Sequence, residues 1–246
     1  MRATRMLIIA AIVALVAAAC GGGDSTSTSL AATGASDSVT PTTVPLSSVP
    51  SDYVGYLHQP TACGADRPDP AIDMKFDAPG EVDVPEGTTV TLNTSCGPIE
   101  IAVDPATAPE TVNSFVFLAE EGYFDGTVSH RIVPGFMMQA GDPTATGFGG
   151  PGYALPDELP ATAAYTRGVV AMANSGPNSA GSQFFIMFGE ADWLPPQYSV
   201  FGEVTSGFEV LDRIEEIPLG RGPGSADPNP STPLESLFIE SVTVNR

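Results

Sequence analysis

A chain of 246 residues, 42% of them apolar, has room for one sizeable domain with extensions or for two small domains, and enough apolar content to bury a core. Nine Lys and Arg against 29 Asp and Glu give a net charge of −20, with no basic stripe to meet phosphates, which excludes nucleic acid as a partner. Together with 24 Pro and 26 Gly, that acidity describes a loop-rich, soluble monomer kept from self-association by repulsion.

The chain opens with Arg2 and Arg5 ahead of an apolar run, residues 6–19, too short to span a bilayer and of the length of a signal-peptide core. The run ends Ala17-Ala18-Ala19-Cys20 and passes at once into Gly21-Gly22-Gly23-Asp24. Small residues directly before a Cys, then a flexible polar tract, resemble the lipobox of bacterial lipoproteins. The resemblance implies a signal peptide over residues 1–19, lipidation at Cys20, and a chain anchored to the cell membrane on its extracytoplasmic side. Ala17 stands where Leu is usual, which leaves cleavage after Ala19 without lipidation as the alternative.

Three cysteines is an odd number for an exported protein. With Cys20 carrying lipid, Cys63 and Cys96 remain for one disulfide in an oxidising compartment, against a reading of two free buried thiols. Residues 20–50, mostly Ser, Thr, Ala, Gly and Pro, form a disordered tether. Residues 51–85, with scattered aromatics and prolines, are expected as an irregular extension packed on the main domain and pinned by Cys63–Cys96.

Regular structure begins at residue 88. Residues 88–93 are β-branched and alternating, and a second strand over 99–103 follows the turn at Cys96-Gly97-Pro98. Pro109 and Glu110 open a helix in which Val112, Phe115, Val116 and Ala119 repeat at helical spacing until Gly122 stops it. Strands are predicted near 128–133, 136–141, 169–173, 183–188, 200–203 and 237–244, with a short helix over 207–214. Residues 142–160 and 219–233 read as loops. Many short strands with two short helices predict a mainly β fold, a closed antiparallel barrel with helices over its open ends.

Several chemistries can be set aside. Gly147-Phe148-Gly149-Gly150-Pro151-Gly152 matches a dinucleotide fingerprint, but Pro151 and Pro156 forbid the helix that would have to follow. His58 and His130 are the only histidines, too few for a zinc site once the cysteines are assigned, so no metal and no cofactor is expected. Ser179 and Ser182 lie in a turn without the first Gly of a nucleophile elbow.

Three stretches carry chemistry. In residues 129–142, a strand, a Pro134-Gly135 corner and a second apolar strand set Arg131 beside Phe136, Met137 and Met138. Arg131 is the only Lys or Arg between Lys75 and Arg167, and a guanidinium in apolar company needs either a carboxylate partner or a task. Residues 172–186 couple Asn174 at a strand end, a tight turn, and a strand with consecutive aromatics, Phe184 and Phe185. Residues 193–202 run Trp193-Leu194-Pro195-Pro196-Gln197-Tyr198-Ser199-Val200-Phe201-Gly202.

In order and spacing these stretches resemble the three signature regions of cyclophilin-type peptidyl-prolyl cis-trans isomerases, a likeness covering residues 86–246. It implies an eight-stranded antiparallel barrel capped by two α-helices, in agreement with the strand reading. By position, Arg131 matches the family's catalytic arginine and Gln139 its active-site glutamine. Phe136, Met137, Phe185 and Leu194 match the pocket for the substrate proline, and Ala173, Asn174 and Gln183 match residues that hold the substrate backbone. Tyr198 falls where many members have His, and Trp193 matches the tryptophan linked to cyclosporin binding. His130 matches a structural position and is expected as a satisfied core histidine. Ser129 replaces a usual aromatic, and Phe148 occupies a loop position, beside a secondary pocket, that is usually small. Tyr198 and Phe148 leave cyclosporin sensitivity open.

The implied activity is X–Pro isomerisation in exported proteins, assisting their folding. A proline-peptide-binding or chaperone module without turnover is the alternative.

Overall fold

The computed structural model describes residues 49–160 and 165–246. The signal peptide, Cys20 and the tether up to residue 48 lie outside the described residues. The first regular strands, β1 (Thr89–Thr94) and β2 (Gly97–Val103), form a hairpin around Ser95 and Cys96. Gly97 takes φ +121°, a value open to glycine and costly for other residues. Their alternation is period two: Val90, Leu92, Ile99 and Ile101 turn inward and are fully buried.

Helix α1 is a single turn in the extension (Tyr53–Tyr56); α2 (Pro109–Glu120) is the first long helix. Ala108 cannot cap α2, and the task falls to a distant carboxylate. Glu158 accepts from the backbone N–H groups of Glu110 and Thr111 at 2.9 and 2.7 Å, satisfying two orphan donors where the helix dipole favours negative charge. The inward stripe of α2 places Phe115 against Phe124, Phe184 and Phe201 at 5.0, 5.3 and 4.8 Å, the centre of the core. Burying such a ring contributes about 1.5–3 kcal/mol.

The remaining strands are β3 (Thr127–Val128), β4 (Arg131–Val133), β5 (Met137–Ala140), β6 (Val169–Met172), β7 (Phe184–Met187) and β8 (Val200–Ser206). Helix α3 (Phe208–Glu215) and three further strands follow: β9 (Leu219–Gly220), β10 (Thr232–Pro233) and β11 (Phe238–Asn245). The main sheet is antiparallel and nine-stranded, in the order β3-β11-β1-β2-β8-β6-β7-β5-β4. The expected eight becomes nine because the single strand predicted near 128–133 is interrupted at Ser129 and His130. Its two halves, β3 and β4, lie at opposite ends of the hydrogen-bonded order. The ladder is therefore open between them, and the curled sheet is joined there covalently, with one bridge from Val128 to Asp142. β9 and β10 pair with each other inside a stretch that reads as loop.

The extension follows the domain surface. Tyr53 Oη donates to Gly126 O at 2.8 Å, Tyr56 Oη to His130 O at 3.1 Å, and Phe76 N to Pro151 O at 2.7 Å. The Cys63–Cys96 disulfide is formed.

Candidate functional site

Period-two alternation divides the consecutive aromatics of β7 between two faces. Phe184 and Ile186 enter the barrel core, while Phe185 and Met187 emerge on the far side with Met137 of β5 and Val169 and Ala171 of β6. On that second face, Phe136, Ala173, Leu194 and Tyr198 pack around Phe185 and Met137. Tyr198 meets the Phe185 ring edge-on at 5.4 Å, and Trp193 lies 4.8 Å from Phe136. The result is an apolar floor with an exposed tryptophan at its rim; Trp193 is 68% exposed.

One wall of that floor is polar. Arg131 and Gln139 are direct partners in the β4–β5 ladder, and Gln139 is in turn opposite Phe185 across β5–β7. Arg131 Nη1 donates to Gln139 Oε1 at 3.1 Å, Gln139 Nε2 to Gln183 Oε1 at 2.9 Å, and Gln183 Nε2 to Gly149 O at 2.9 Å. The amides are thus fixed in one orientation from the arginine outward. Ala173 N donates to Gln183 O at 2.9 Å, and Asn174 Nδ2 donates to Gln197 O at 2.8 Å, tying the second stretch to the third.

Gly149 belongs to a loop organised by Asp142. Burial pushes the Asp142 carboxyl upward, but hydrogen bonds from Thr144 and Gly149, with the nearby His130, outweigh it and hold the group below the usual carboxylate range; Gly147 N–H donates to it as well. A side chain at Gly149 would lie 1.9 Å from Asp142 Oδ1, so the glycines of the rejected dinucleotide fingerprint serve to wrap a carboxylate. Two cavities open beside this loop, of about 470 and 340 Å³, both bordered by Gln139, Gly147 and Phe148. The larger also meets Ala173, Asn174 and Gln183, and the extension contributes Lys75 to it. Phe148, 93% exposed, stands on their shared edge.

The structure brings together all eleven residues expected at the site: Arg131, Gln139, Phe136, Met137, Ala173, Asn174, Gln183, Phe185, Trp193, Leu194 and Tyr198. Three things differ from, or add to, the sequence reading. His130 is not a satisfied histidine: its Nδ1 is shut off from solvent with no hydrogen-bond partner among the described residues. Tyr165 lies under Tyr198 at 6.2 Å and accepts a hydrogen bond from its N–H at 3.3 Å. Asp227, in the 219–233 stretch, holds Arg131 through a two-pronged ion pair, Nε to Oδ2 at 2.8 Å and Nη2 to Oδ1 at 2.6 Å. The arginine's isolation among acids left a carboxylate partner and a task as the two readings, and nothing in the sequence singled out Asp227.

Comparison with known proteins covers the same region. The family model for cyclophilin type peptidyl-prolyl cis-trans isomerase/CLD matches residues 89–244. Peptidyl-prolyl cis-trans isomerase B of Streptomyces anulatus is 41% identical over 172 residues, covering 63% of this chain and 94% of that protein. Human peptidyl-prolyl cis-trans isomerase-like 3 is 40% identical over 161 residues, covering 64% of this chain and 96% of the relative. The match to peptidyl-prolyl cis-trans isomerase-like 2 of Cryptococcus neoformans, 41% identical over 160 residues, spans 27% of that longer protein. Among solved structures, a Cryptosporidium parvum cyclophilin type peptidyl-prolyl cis-trans isomerase superposes with a TM-score of 0.59 at 30% identity, covering 65% of this chain and 98% of that one. The same protein in the presence of the dipeptide Ala-Pro gives a TM-score of 0.58.

Proposed function

The chain belongs to the cyclophilin-type peptidyl-prolyl cis-trans isomerase family, and from that premise we propose that it accelerates X–Pro rotation in exported proteins while held at a membrane by a lipid on Cys20. One observation carries the catalytic part: a guanidinium fixed by three hydrogen bonds stands beside an apolar floor built from Phe136, Met137, Phe185, Leu194 and Tyr198.

The reaction breaks no bond. Amide resonance opposes rotation with a barrier of ~18–20 kcal/mol, and X–Pro bonds exchange over tens to hundreds of seconds. In the twisted amide the prolyl nitrogen regains its lone pair, so a donor held near it stabilises the transition state without stabilising either planar form. Three of the five N–H groups of Arg131 are engaged, leaving one on Nη1 and one on Nη2 for that purpose among the described residues. The apolar floor receives the proline ring. Asn174 and Gln183 anchor the chain on one side so that the other turns against it. Shortening ~100 s to ~1 ms needs about 7 kcal/mol.

Export rests on the signal-peptide pattern and the lipobox-like Ala17-Ala18-Ala19-Cys20, and it agrees with a disulfide that persists where thiols are oxidised. A protease-coupled isomerisation assay tests the reaction. Labelled palmitate incorporated into wild-type chain and absent from Cys20→Ala, in a bacterial host, tests the anchor; no label in the wild type contradicts it.

A further inference from the structure

The 219–233 stretch is more than a connection between α3 and β11. It is anchored at its base by the β9–β10 ladder, Leu219 opposite Pro233 and Gly220 opposite Thr232. It is anchored again on the strand that bears the proposed catalytic arginine, where Ile132 N donates to Ser231 O at 2.8 Å. Its interior is stapled by Arg221, whose Nη1 and Nη2 donate to the carbonyls of Asp227 and Pro228 at 2.7 and 2.6 Å. All of these ties fix the backbone at Asp227.

From there the Asp227 side chain reaches back across 96 residues to grip Arg131 on its Nε and Nη2 edge. The pair is sheltered, the side chains being 34% and 17% exposed for Arg131 and Asp227. A two-pronged carboxylate fixes the plane of a guanidinium, where a single acceptor would let it swing. The grip leaves the unused N–H groups of Nη1 and Nη2 at the other edge. It also spares Gln139, whose Oε1 holds Nη1 from the opposite side.

We propose that Asp227 is a positioning residue for isomerisation: it presents Arg131 to the substrate amide in a single orientation and touches no substrate itself. The inference rests on the isomerase reading of the site. An arginine held only by Gln139 keeps its charge but samples several rotamers, and only a fraction of encounters finds a donor near the prolyl nitrogen. The loss falls on the transition state, because the proline ring is bound by the apolar floor and the planar substrate makes no use of the aimed N–H.

The test compares kcat and KM for an Ala-Pro-containing peptide in the full chain and its Asp227→Asn, Asp227→Ala and Asp227→Glu variants. Asp227→Asn is nearly isosteric and keeps the loop folded even where Asp227→Ala does not. The expected result is a fall in kcat of about tenfold, equivalent to about 1.4 kcal/mol, in Asp227→Asn with KM within twofold of wild type. Asp227→Glu should recover part of it. In an Arg131→Lys background, where no fork can form, Asp227→Asn should change kcat by less than twofold. Active wild type with Asp227→Asn unchanged or faster overturns the positioning role alone. Equal losses in the wild-type and Arg131→Lys backgrounds overturn it too, since the loop would then act through folding. A wild type that folds and has no turnover overturns the isomerase reading itself.

Discussion

Arg131 and Gln139 face each other directly across the β4–β5 ladder and share a hydrogen bond of 3.1 Å. Partners on one rung of an antiparallel pair stand about 4.5–5.5 Å apart at Cβ and point to the same face, so the contact follows from register and needs no loop to create it. The neighbouring β5–β7 ladder sets Gln139 opposite Phe185, which joins the polar wall to the apolar floor.

That rung has a measurable consequence. Gln139→Ala removes one tie on the guanidinium and leaves the side-chain Oε1 of Gln183 without its donor. Turnover should fall about tenfold with little change in thermal stability, a cost typical of losing an orienting hydrogen bond. Steady-state kinetics alongside thermal melts would check it. Unchanged kcat would mean that Asp227 alone orients Arg131.

Trp193 is the only tryptophan in the chain, is 68% exposed, and lies 4.8 Å from Phe136. A proline peptide seated against Phe136 should bury its indole. Titrating Ala-Pro peptides should therefore shift its emission to the blue and saturate, and Phe136→Ala should weaken the binding at least several-fold. An emission spectrum indifferent to saturating peptide would place the substrate elsewhere.

How much of this was legible depends on where the information lies. Arg131, Met137, Gln139 and Phe185 sit on strands, where alternation sends Met137 and Gln139 to one side; the rest of the floor and the glutamine's role could be read from the resemblance to the family. The interruption at Ser129 and His130 could not. Ser129 Oγ there turns to the Gln139 carbonyl at 3.0 Å, a contact between strands that no local propensity encodes. Asp227 is one of 29 acidic residues, in a stretch rich in Gly and Pro with no period, and its partner is 96 positions away. That Arg131 needed either a carboxylate partner or a task was visible in the sequence; the address of its carboxylate was set by tertiary packing.

The disulfide ties the extension to the β1–β2 hairpin. Closing 33 residues of chain, it should contribute ~3–4 kcal/mol by constraining the unfolded state. Double replacement of Cys63 and Cys96 by Ser should lower the urea midpoint accordingly, and intact mass of the protein made in an oxidising compartment should show the two thiols only after reduction. Two reactive thiols before reduction, or an unshifted midpoint, would contradict this.

His130 gives the fold an acid weakness. Burial is the main cause of its low pKa, about 4, with nearby Arg131 adding to the effect and Asp142 opposing it. Folded, the ring stays neutral down to about pH 4; unfolded, it binds a proton below about 6.5. The unfolded state therefore holds more protons in that window, and stability should fall as pH drops from 6.5 to 4, by about 2–3 kcal/mol from this residue. Urea unfolding at pH 7.5 and 4.5 should show a larger acid loss in wild type than in His130→Gln. Equal losses in the two proteins would assign the weakness to other groups.

The most direct test is protease-coupled isomerisation of X–Pro peptides by the chain from residue 49 onward, wild type against Arg131→Ala. The account predicts rapid turnover in the wild type, a loss of ~10²–10³-fold in kcat in the variant, and peptide affinity by Trp193 fluorescence within a few-fold. A folded wild type that binds proline peptides and does not turn them over would contradict the account and make this chain a binding module.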